Sequence, residues 1–434
     1  MQVYLVGGAV RDRLLGREVK ERDWVVVGAT PAELERAGYL PVGRDFPVFL
    51  HPKTREEHAL ARLERKVAPG YRGFTTEFSP AVTLEDDLKR RDLTINAMAE
   101  DGEGRVIDPY GGLRDLAARV LRTPGRPEDS FSDDPLRMAR AARFAAQLGF
   151  EVAPEVVAAM AAMAERITIV SAERVRDELV KLVCGPYPRR GLALLVDTGL
   201  AEHVLPELPK LRLEVDEHHR HKDVYEHTLT VLEQAMALEA GGPDLVLRLA
   251  ALMHDVGKPK TRRFEKGGGV SFHHHEVVGA KLTRKRMKAL RFSNDEIDAV
   301  SKLVELHLRF HGYGSGEWTD SAVRRYVRDA GDQLERLHVL TRADCTTRNK
   351  RKAERLRRTY DDLEQRIERL SEEEQLAAIR PDLDGNQIME TLGIGAGPEV
   401  GAAYRFLLEL RLEHGPQSPE QAREALLDWW SQRS

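Results

Sequence analysis

Val3-Tyr4-Leu5-Val6-Gly7-Gly8-Ala9-Val10-Arg11-Asp12, followed by Glu21-Arg22-Asp23-Trp24-Val25-Val26-Val27, opens the chain and decides its fold. A short apolar strand runs into a Gly-Gly turn, a helix is expected from Ala9 to about Leu15, and a second strand carries Glu21 and Asp23. Side chains alternate across a strand, so these two carboxylates are expected on one face. About 7 Å apart along the backbone, they can converge on a pair of divalent ions roughly 3.5–4 Å apart. Mg²⁺ takes such oxygen ligands and is commonly shared with substrate phosphates. Gly7 and Gly8 let the backbone approach phosphate oxygens, with amide N–H groups and a helix N-terminus as donors. Arg11, in the first turn of that helix, adds a charge-assisted donor. The pattern points to chemistry on a nucleoside triphosphate, with Glu21 and Asp23 as catalytic and metal-binding carboxylates.

At 434 residues the chain is expected to form two to four domains, and a hydrophobic content of 41% supports real cores. A net charge of −4 does not announce a nucleic-acid binder, so any such surface must be a local patch. The two cysteines, Cys184 and Cys345, suggest a reducing compartment without a disulfide framework. Arg11, Asp12, Arg13 and Arg17 interrupt the first 20 residues, and no apolar run approaches the ~20 residues needed to span a bilayer. No membrane partner is expected, and a cytoplasmic location is.

Residues 1–118 mix short β-rich runs (Gln2–Val6, Trp24–Val27, Val48–His51, Arg105–Ile107) with Gly-rich turns, as a small sheet head would. From Arg119 the pattern is helical almost throughout, giving an α+β chain with a sheet head on an elongated, all-helical body. The expected divisions are a head at 1–118, a helical neck and body at 119–220, a second catalytic domain at 221–346 and a helical tail at 347–434. Arg348 to Glu374 reads as one strongly charged helix.

Asp133-Asp134-Pro135-Leu136-Arg137-Met138-Ala139-Arg140 opens a helix, with Asp133 or Asp134 as N-cap and Pro135 in the first position. Asp134 and Arg137 are expected on one face. Cytosine and adenine each present an exocyclic amino donor beside a ring-nitrogen acceptor, whereas uracil and guanine present the reverse. A carboxylate beside a guanidinium would therefore pair with C and A and reject U and G. Arg140, one turn on, could reach phosphate or ribose. Upstream, Arg90, Arg91, Asp92 and Asn96 are candidates for ribose and triphosphate contacts, and Asp108–Leu116 reads as a turn-rich hinge.

Together these segments resemble the class II tRNA nucleotidyltransferases, the bacterial CCA-adding enzymes, over the whole chain. The motifs that carry the resemblance are Gly7-Gly8 with Glu21 and Asp23, Arg90-Arg91-Asp92, Asp108–Leu116, and Asp133-Asp134 with Arg137. The resemblance implies a polymerase-β-like nucleotidyltransferase head that binds ATP and CTP at Gly8, Arg11, Arg91, Arg137 and Arg140, with Mg²⁺ at Glu21 and Asp23. Two positions depart from the family's commonest residues: Glu21 stands where Asp is usual, and Asp133 where Glu is usual.

A second constellation lies downstream: His227, then His254-Asp255-Val256-Gly257-Lys258, then His273-His274-His275, and finally Asp344. Its order resembles the HD phosphohydrolase superfamily. The ligand set expected is His227, His254, Asp255 and Asp344, with His275 and Lys258 meeting a phosphate, while His218, His219 and His221 are expected to be solvated. Neutral imidazole with carboxylate suits Ni²⁺, Mn²⁺, Fe²⁺ or Zn²⁺, and the family resemblance suggests nickel. It further implies 2′,3′-cyclic phosphodiesterase, 2′-nucleotidase and phosphatase activities.

Arg348 to Arg358 holds seven basic residues and one acidic one, a patch able to neutralise RNA phosphates. Arg62, Arg65, Lys66, Arg72 and Lys89 add positive charge near the head. The expected partners are the tRNA 3′ end, CTP and ATP, the protein acting as monomer or homodimer. Alternatives are a bacterial poly(A) polymerase, an enzyme adding only CC or only A, and an RNA-binding module with a degenerate head.

Overall fold

The computed structural model describes residues 1–42, 48–66, 74–213, 223–266, 269–313, 318–346, 349–374 and 379–433, leaving aside the side chains of 63–66, 74–78, 311, 312 and 350. Arg72, His218, His219, His221 and Arg348, and the side chains of Arg65 and Lys66, fall outside this set. The chain divides into two compact units, Met1–Lys210 with Arg286–Phe292, and Leu211–Lys285 with Ser293–Ser434.

The first unit is built on a seven-stranded sheet. Its strands are β1 (Gln2–Val6), β2 (Asp23–Val27), β3 (Leu40–Val42), β4 (Val48–Leu50) and β5 (Glu57–Leu60), and then, beyond a separate β6–β7 hairpin (Arg62–Lys66, Phe74–Phe78), β8 (Ala99–Glu100) and β9 (Val106–Ile107). The spatial order is β3-β4-β5-β2-β1-β8-β9. At its centre β2 runs antiparallel to β1 and parallel to β5. Both faces of β2 are covered: Val25 packs with Val6, Val82 and Leu88, and Val26 packs with Leu34, Phe49 and Leu60. Burial on both sides explains why this strand reads as an unbroken Val run. Each such valine contributes about 1.5–3 kcal/mol by leaving water.

Glu21 is not on this strand, contrary to the alternation argument. β2 begins at Asp23, whose partners are Val6 on β1 and Glu57 on β5. β1 ends at Val6 and turns into the helix Gly8–Leu14, so no ladder extends to residue 21.

A second correction concerns Asp133. It is the last residue of the helix Pro127–Asp133, and Asp134 is the extended joint before the helix Leu136–Leu148. One Asp134 carboxylate oxygen accepts the Leu136 N–H at 3.1 Å, so Asp134 caps this helix start. The helix buries Phe144, Ala145 and Leu148 against Val10, Leu93, Ile95 and Met98 of the head. It ends at Gly149, which adopts the left-handed conformation (φ 70°) that glycine takes without penalty.

The Asp108–Leu116 stretch is an anchored helix start. Asp108 accepts the N–H groups of Gly112 and Leu113, and a Cβ on Gly112 would stand 2.4 Å from the Thr94 carbonyl. Among the described residues, the body's only strands form two short ladders, β10 (Val120–Leu121) with β11 (Glu151–Val152) and β12 (Arg263–Glu265) with β13 (Gly269–Ser271).

The second unit packs the helices Val224–Leu238, Leu245–Met253, Asn294–Leu306 and Leu334–Ala343 against one another. The long helix Lys350–Glu374 follows, and then Gly385–Leu392, Pro398–His414 and Pro419–Ser431 close a separate apolar cluster around Leu383, Leu407 and Leu426.

Candidate active sites

In the first unit, the Gly7-Gly8 turn and Asp23 are neighbours because Val6 pairs with Asp23 in the ladder. Gly7 has φ 74°, and a Cβ there would stand 2.8 Å from Arg91 Nη1, so the glycine is required both by its backbone and by the close approach of that guanidinium. Glu21 and Asp23 are exposed, and neither has an ion pair or side-chain hydrogen bond among the described residues. Asp23 at the start of a buried strand, with Glu21 two residues before it, offers carboxylates of the kind that hard, oxygen-preferring ions such as Mg²⁺ take.

Behind the turn, ionic side chains hold one another in place. Arg11 donates to Asn96 Oδ1 at 2.6 Å, and Asn96 donates to Asp92 Oδ1 at 2.9 Å. The other Asp92 oxygen accepts from Arg140 at 2.8 and 2.6 Å. Arg143 pairs with Glu178 at 2.6 Å, and the guanidinium groups of Arg11, Arg140 and Arg143 lie 5.1, 5.7 and 4.0 Å from the Phe144 ring centroid. Asp87, fully buried, pairs with Arg90 at 2.7 Å and Arg91 at 3.3 Å. Burial opposes ionisation of Asp92 and Asp87. At Asp92, Arg140 and Asn96 outweigh it and bring the carboxyl to about 2. At Asp87, Arg90 and Arg91 hold the carboxyl below its usual range.

Asp134 and Arg137 are near in sequence but do not pair with each other. The second Asp134 oxygen accepts from Arg174 at 2.8 Å, while Arg137 donates to Ser130 Oγ at 3.0 Å and to the Arg90 carbonyl at 2.5 Å. The expected carboxylate–guanidinium edge is not assembled, because each group has a nearer partner of opposite character. Asp87, Arg174 and Glu178 were not singled out from sequence. Asp87 was hidden inside an acidic run that reads as a solvated helix start.

In the second unit, residues far apart in sequence meet. His227 Nε2 lies 3.0 Å from Asp344 and 3.5 Å from Asp255 Oδ2, and His254 Nε2 lies 3.2 Å from the same Asp255 oxygen and 3.4 Å from His227 Nε2. Two donors each about 2.1 Å from one ion, at angles near 90–110°, stand about 3.0–3.4 Å apart, so these separations suit a shared transition metal. The His254 Nδ1–H donates to the Ala251 carbonyl at 2.8 Å, which leaves Nε2 as the lone-pair nitrogen. His227 Nδ1 is hydrogen-bonded with Thr346 Oγ1 at 3.1 Å. Lys258 Nζ is 2.6 Å from Asp255 Oδ2, and His275 Nε2 is 3.3 Å from Asp255 Oδ1. Burial opposes ionisation of Asp255, but His254, His275 and Lys258 hold its carboxyl well below the usual range.

Gly257 makes this convergence possible. A Cβ at Gly257 would stand 2.0 Å from the His275 carbonyl and 2.7 Å from the Gly279 nitrogen, so only glycine lets the two helix starts meet.

His307 joins the same cluster and was not foreseen. It follows the helix Asn294–Leu306, is 1% exposed, and its ring centroid lies 5.3 Å from both His254 and His275. Burial, with His254 nearby, pushes its pKa down to about 3. The sequence signal was its i+3 and i+7 spacing from Val304 and Val300, which puts a polar ring on the apolar face of a helix.

Comparison with known proteins matches the regions that carry these residues to known domains. The Poly A polymerase head domain model matches residues 3–122, the model described as the probable RNA and SrmB-binding site of polymerase A matches 149–211, and the HD domain model matches 224–349. The multifunctional CCA protein of Methylococcus capsulatus is 45% identical over 353 residues, covering 80% of this chain and 79% of that protein. Its counterpart from Chromobacterium violaceum is 46% identical over 340 residues, covering 77% and 81%. The fold is shared with the Bacillus stearothermophilus CCA-adding enzyme solved with CTP (TM-score 0.68, 24% identity, 99% of this chain and 94% of that one). It is likewise shared with the Thermotoga maritima CCA-adding enzyme solved with tRNA (TM-score 0.60, 18% identity, 99% and 91%). With matched head and HD domains and relatives this similar over most of its length, the chain belongs to the multifunctional CCA protein family, the class II CCA-adding enzymes that carry an HD domain.

Proposed function

We propose that this protein builds and repairs the 3′-terminal CCA of tRNA, using CTP and ATP without a nucleic-acid template and releasing pyrophosphate. The observation that carries this reading is the family membership, supported by Asp23 and the Gly7-Gly8 turn standing side by side in one ladder. In the reaction, the terminal 3′-hydroxyl attacks the α-phosphorus in line, and the bond to the bridging oxygen of pyrophosphate breaks. Glu21 and Asp23 would hold Mg²⁺, which would supply Lewis-acid stabilisation of the phosphate charge. The Gly8 backbone and Arg11 receive the triphosphate, and Arg91, fixed by Asp87, adds charge beside the glycine turn. Asp134 and Arg137 read the base by offering an acceptor beside a donor, and to do so they exchange their present partners Arg174, Ser130 and the Arg90 carbonyl. Arg140, anchored on Asp92, serves the ribose or phosphate end for both nucleotides.

The HD domain is a phosphohydrolase acting on 2′,3′-cyclic phosphodiesters, 2′-nucleotides and phosphomonoesters, so that a blocked tRNA end is reopened before addition. His227, His254, Asp255 and Asp344 would hold a transition metal, nickel by family resemblance, whose contribution there would be to make water a nucleophile. Lys258 supplies positive charge for the phosphate. The exposed Arg351, Lys352, Arg355, Arg357 and Arg358 of the helix Lys350–Glu374 give tRNA a cationic surface. The protein works in the cytoplasm as a monomer or homodimer. The division into head (1–118), neck and body (119–220), HD domain (221–346) and tail (347–434) is the working assignment of these roles.

The test is extension of tRNA lacking its CCA end with CTP alone, ATP alone, and both. Two added residues with CTP and three with both are expected. Long poly(A) tails from ATP alone would replace this reading with the poly(A) polymerase alternative. A halt after CC with both nucleotides, or addition of A only to a CC end, would make it a partial adder.

A further inference from the structure

The hairpin of β12 and β13 is inserted between the two stretches that build the HD cluster. The chain leaves the cluster at Asp255 and Lys258, passes through the short helix Lys258–Thr261, forms the two strands and returns at His275. Lys258 Nζ is 2.6 Å from Asp255 Oδ2 and 5.7 Å from the Phe272 ring centroid, so the foot of the hairpin rests on the cluster. The strands are held in register: Arg263 faces Ser271, Phe264 faces Val270, and the Ser271 hydroxyl donates to the Glu265 carboxylate. The His275 Nδ1–H donates to the Phe272 carbonyl at 2.8 Å and fixes the returning end.

Phe264 is 73% exposed, more than any other large apolar side chain among the described residues. A lone exposed aromatic is ordinary surface, but this ring stands among cations. The Arg262 guanidinium lies over it, 4.7 Å from the centroid. Lys258–Lys266 holds five basic residues and one acidic one, and that acid, Glu265, is the one engaged by Ser271. Lys260, Arg263 and Lys266 are exposed. An acidic peptide would satisfy the cations and leave the ring without a partner. An apolar partner would bury the ring at the cost of stripping water from the cations. A single-stranded nucleic acid answers both, with a base on the ring and phosphates on the cations. Extended backbone spans at most ~3.3–3.6 Å per residue, so Phe264 lies within about 20 Å of Lys258, within reach of a short RNA end whose last phosphate is at the cluster.

We propose that this hairpin is the RNA-end platform of the HD domain: Phe264 stacks a base of the single-stranded 3′ segment on the ring face away from Arg262, while Lys260 and Arg262 neutralise its phosphodiesters. This rests on the phosphohydrolase reading of the HD domain and adds how its substrate is chosen. Recognition is by stacking and charge, so it tolerates any base and favours an RNA end over a small phosphate ester.

The test gives the full-length chain two substrates with the same five-membered cyclic phosphodiester: tetra-adenylate ending in a 2′,3′-cyclic phosphate, and 1,2-cyclic glycerophosphate, which has no base. In Phe264→Ala, KM for the tetranucleotide should rise by about 5- to 100-fold with little change in kcat, and kcat/KM for cyclic glycerophosphate should stay the same. Phe264→Trp should restore the tetranucleotide KM, and Phe264→Leu, equally apolar, should not. A second readout needs no turnover: a tetranucleotide of 4-thiouridine with the same cyclic end, photocrosslinked to the chain, should mark the hairpin in the parent and not in Phe264→Ala. A crosslink in the hairpin with no hydrolysis of either substrate sinks the phosphohydrolase reading and leaves the platform standing. Hydrolysis of both substrates with KM values unmoved by Phe264→Ala, and no crosslink in the hairpin, overturns the platform and leaves the phosphohydrolase. A parent dimer that Phe264→Ala converts to monomer in sedimentation would assign the ring to a second copy of the chain and equally overturn it.

Discussion

Asp92→Asn is the sharpest perturbation of the first unit, because it keeps the shape of the side chain and removes only its charge. Asp92 is buried, accepts the Leu93 N–H and an Asn96 amide hydrogen on one oxygen, and holds Arg140 on the other. Burial raises the energy of the carboxylate, but Arg140, Asn96 and Arg137 outweigh it, lowering the pKa from 3.8 to about 2. A depression of that size corresponds to roughly 2–2.5 kcal/mol of native stability. Because the folded pKa lies below the unfolded one, this stability is fully present above about pH 4 and is lost as pH falls toward 2. The gap between wild type and Asp92→Asn should therefore be constant from about pH 5 to 8. Hydrogen exchange in the helix Leu136–Leu148 reads it locally, without interference from the second unit. Corrected for intrinsic rate, exchange should quicken by about 30-fold where global opening of the unit dominates. In the extension assay, KM for CTP and ATP should rise together, since the proposed role of Arg140 is at the ribose or phosphate end that both nucleotides share. Less than a three-fold change in exchange, or a gap that grows between pH 5 and 8, would refute the claim that Asp92 is an ionised anchor for Arg140.

Further outcomes follow from the same geometry. Asp23→Ala should reduce nucleotide addition by about 10³-fold or more while sparing hydrolysis of 2′,3′-cyclic phosphates, and His254→Ala should do the reverse; loss of both activities in either variant argues against independent sites. Gly257→Ala should destabilise the second unit by about 1–3 kcal/mol or more in thermal unfolding, because its Cβ must displace the His275 carbonyl, and phosphohydrolase activity should fall with it. Arg355→Ala with Arg358→Ala should weaken tRNA binding and flatten the log–log salt dependence by about 0.7–0.9 per residue, and an unchanged slope would remove this helix from the RNA surface.

The head was legible where one physical rule acted alone. The apolar run at Trp24–Val27 must be a strand covered on both faces, and Gly7 must be glycine to admit Arg91. Reading failed where tertiary pairing decided the outcome. Alternation placed Glu21 on β2, but a strand lasts only as long as its neighbours, and β1 turns away after Val6. Asp133 looked like a cap because two carboxylates precede Pro135, yet only Asp134 accepts the Leu136 N–H. Helical spacing put Asp134 beside Arg137, but Arg174 comes from another helix and Ser130 from the preceding one, and no local rule predicts either. The meeting of His227, His254, Asp255 and Asp344 was legible because His-Asp side by side is rare as packing. His307, flanked by leucines, offers only its helical spacing from Val300 and Val304 as a sign, and the rings it meets give that sign its meaning.

The two sites differ in how their charges are balanced, and the difference bears on what each requires. In the first unit the arginines and carboxylates neutralise one another: Asp87 with Arg90 and Arg91, Asp92 with Arg140, Glu178 with Arg143. The scaffold is complete by itself, and breaking one of these buried pairs costs more than the pair ever contributed, because it strands a charge. If Asp134 and Arg137 read the base as proposed, nucleotide binding works by exchange of partners, a base that offers the right donor and acceptor replacing Arg174 and Ser130 and a base with the pattern reversed replacing neither. Selectivity in this arrangement comes from what the wrong base fails to displace. In the second unit the lone pairs of His254, His275 and His307 point inward with Asp255 among them, and only the outer nitrogens are satisfied by backbone carbonyls. No rearrangement of protein donors corrects this, since Lys258 already engages Asp255 Oδ2 and the opposite oxygen meets only imidazole. A divalent metal suits such a cluster of inward lone pairs, so on the proposed reading its binding would add to the stability of the second unit as well as to its chemistry.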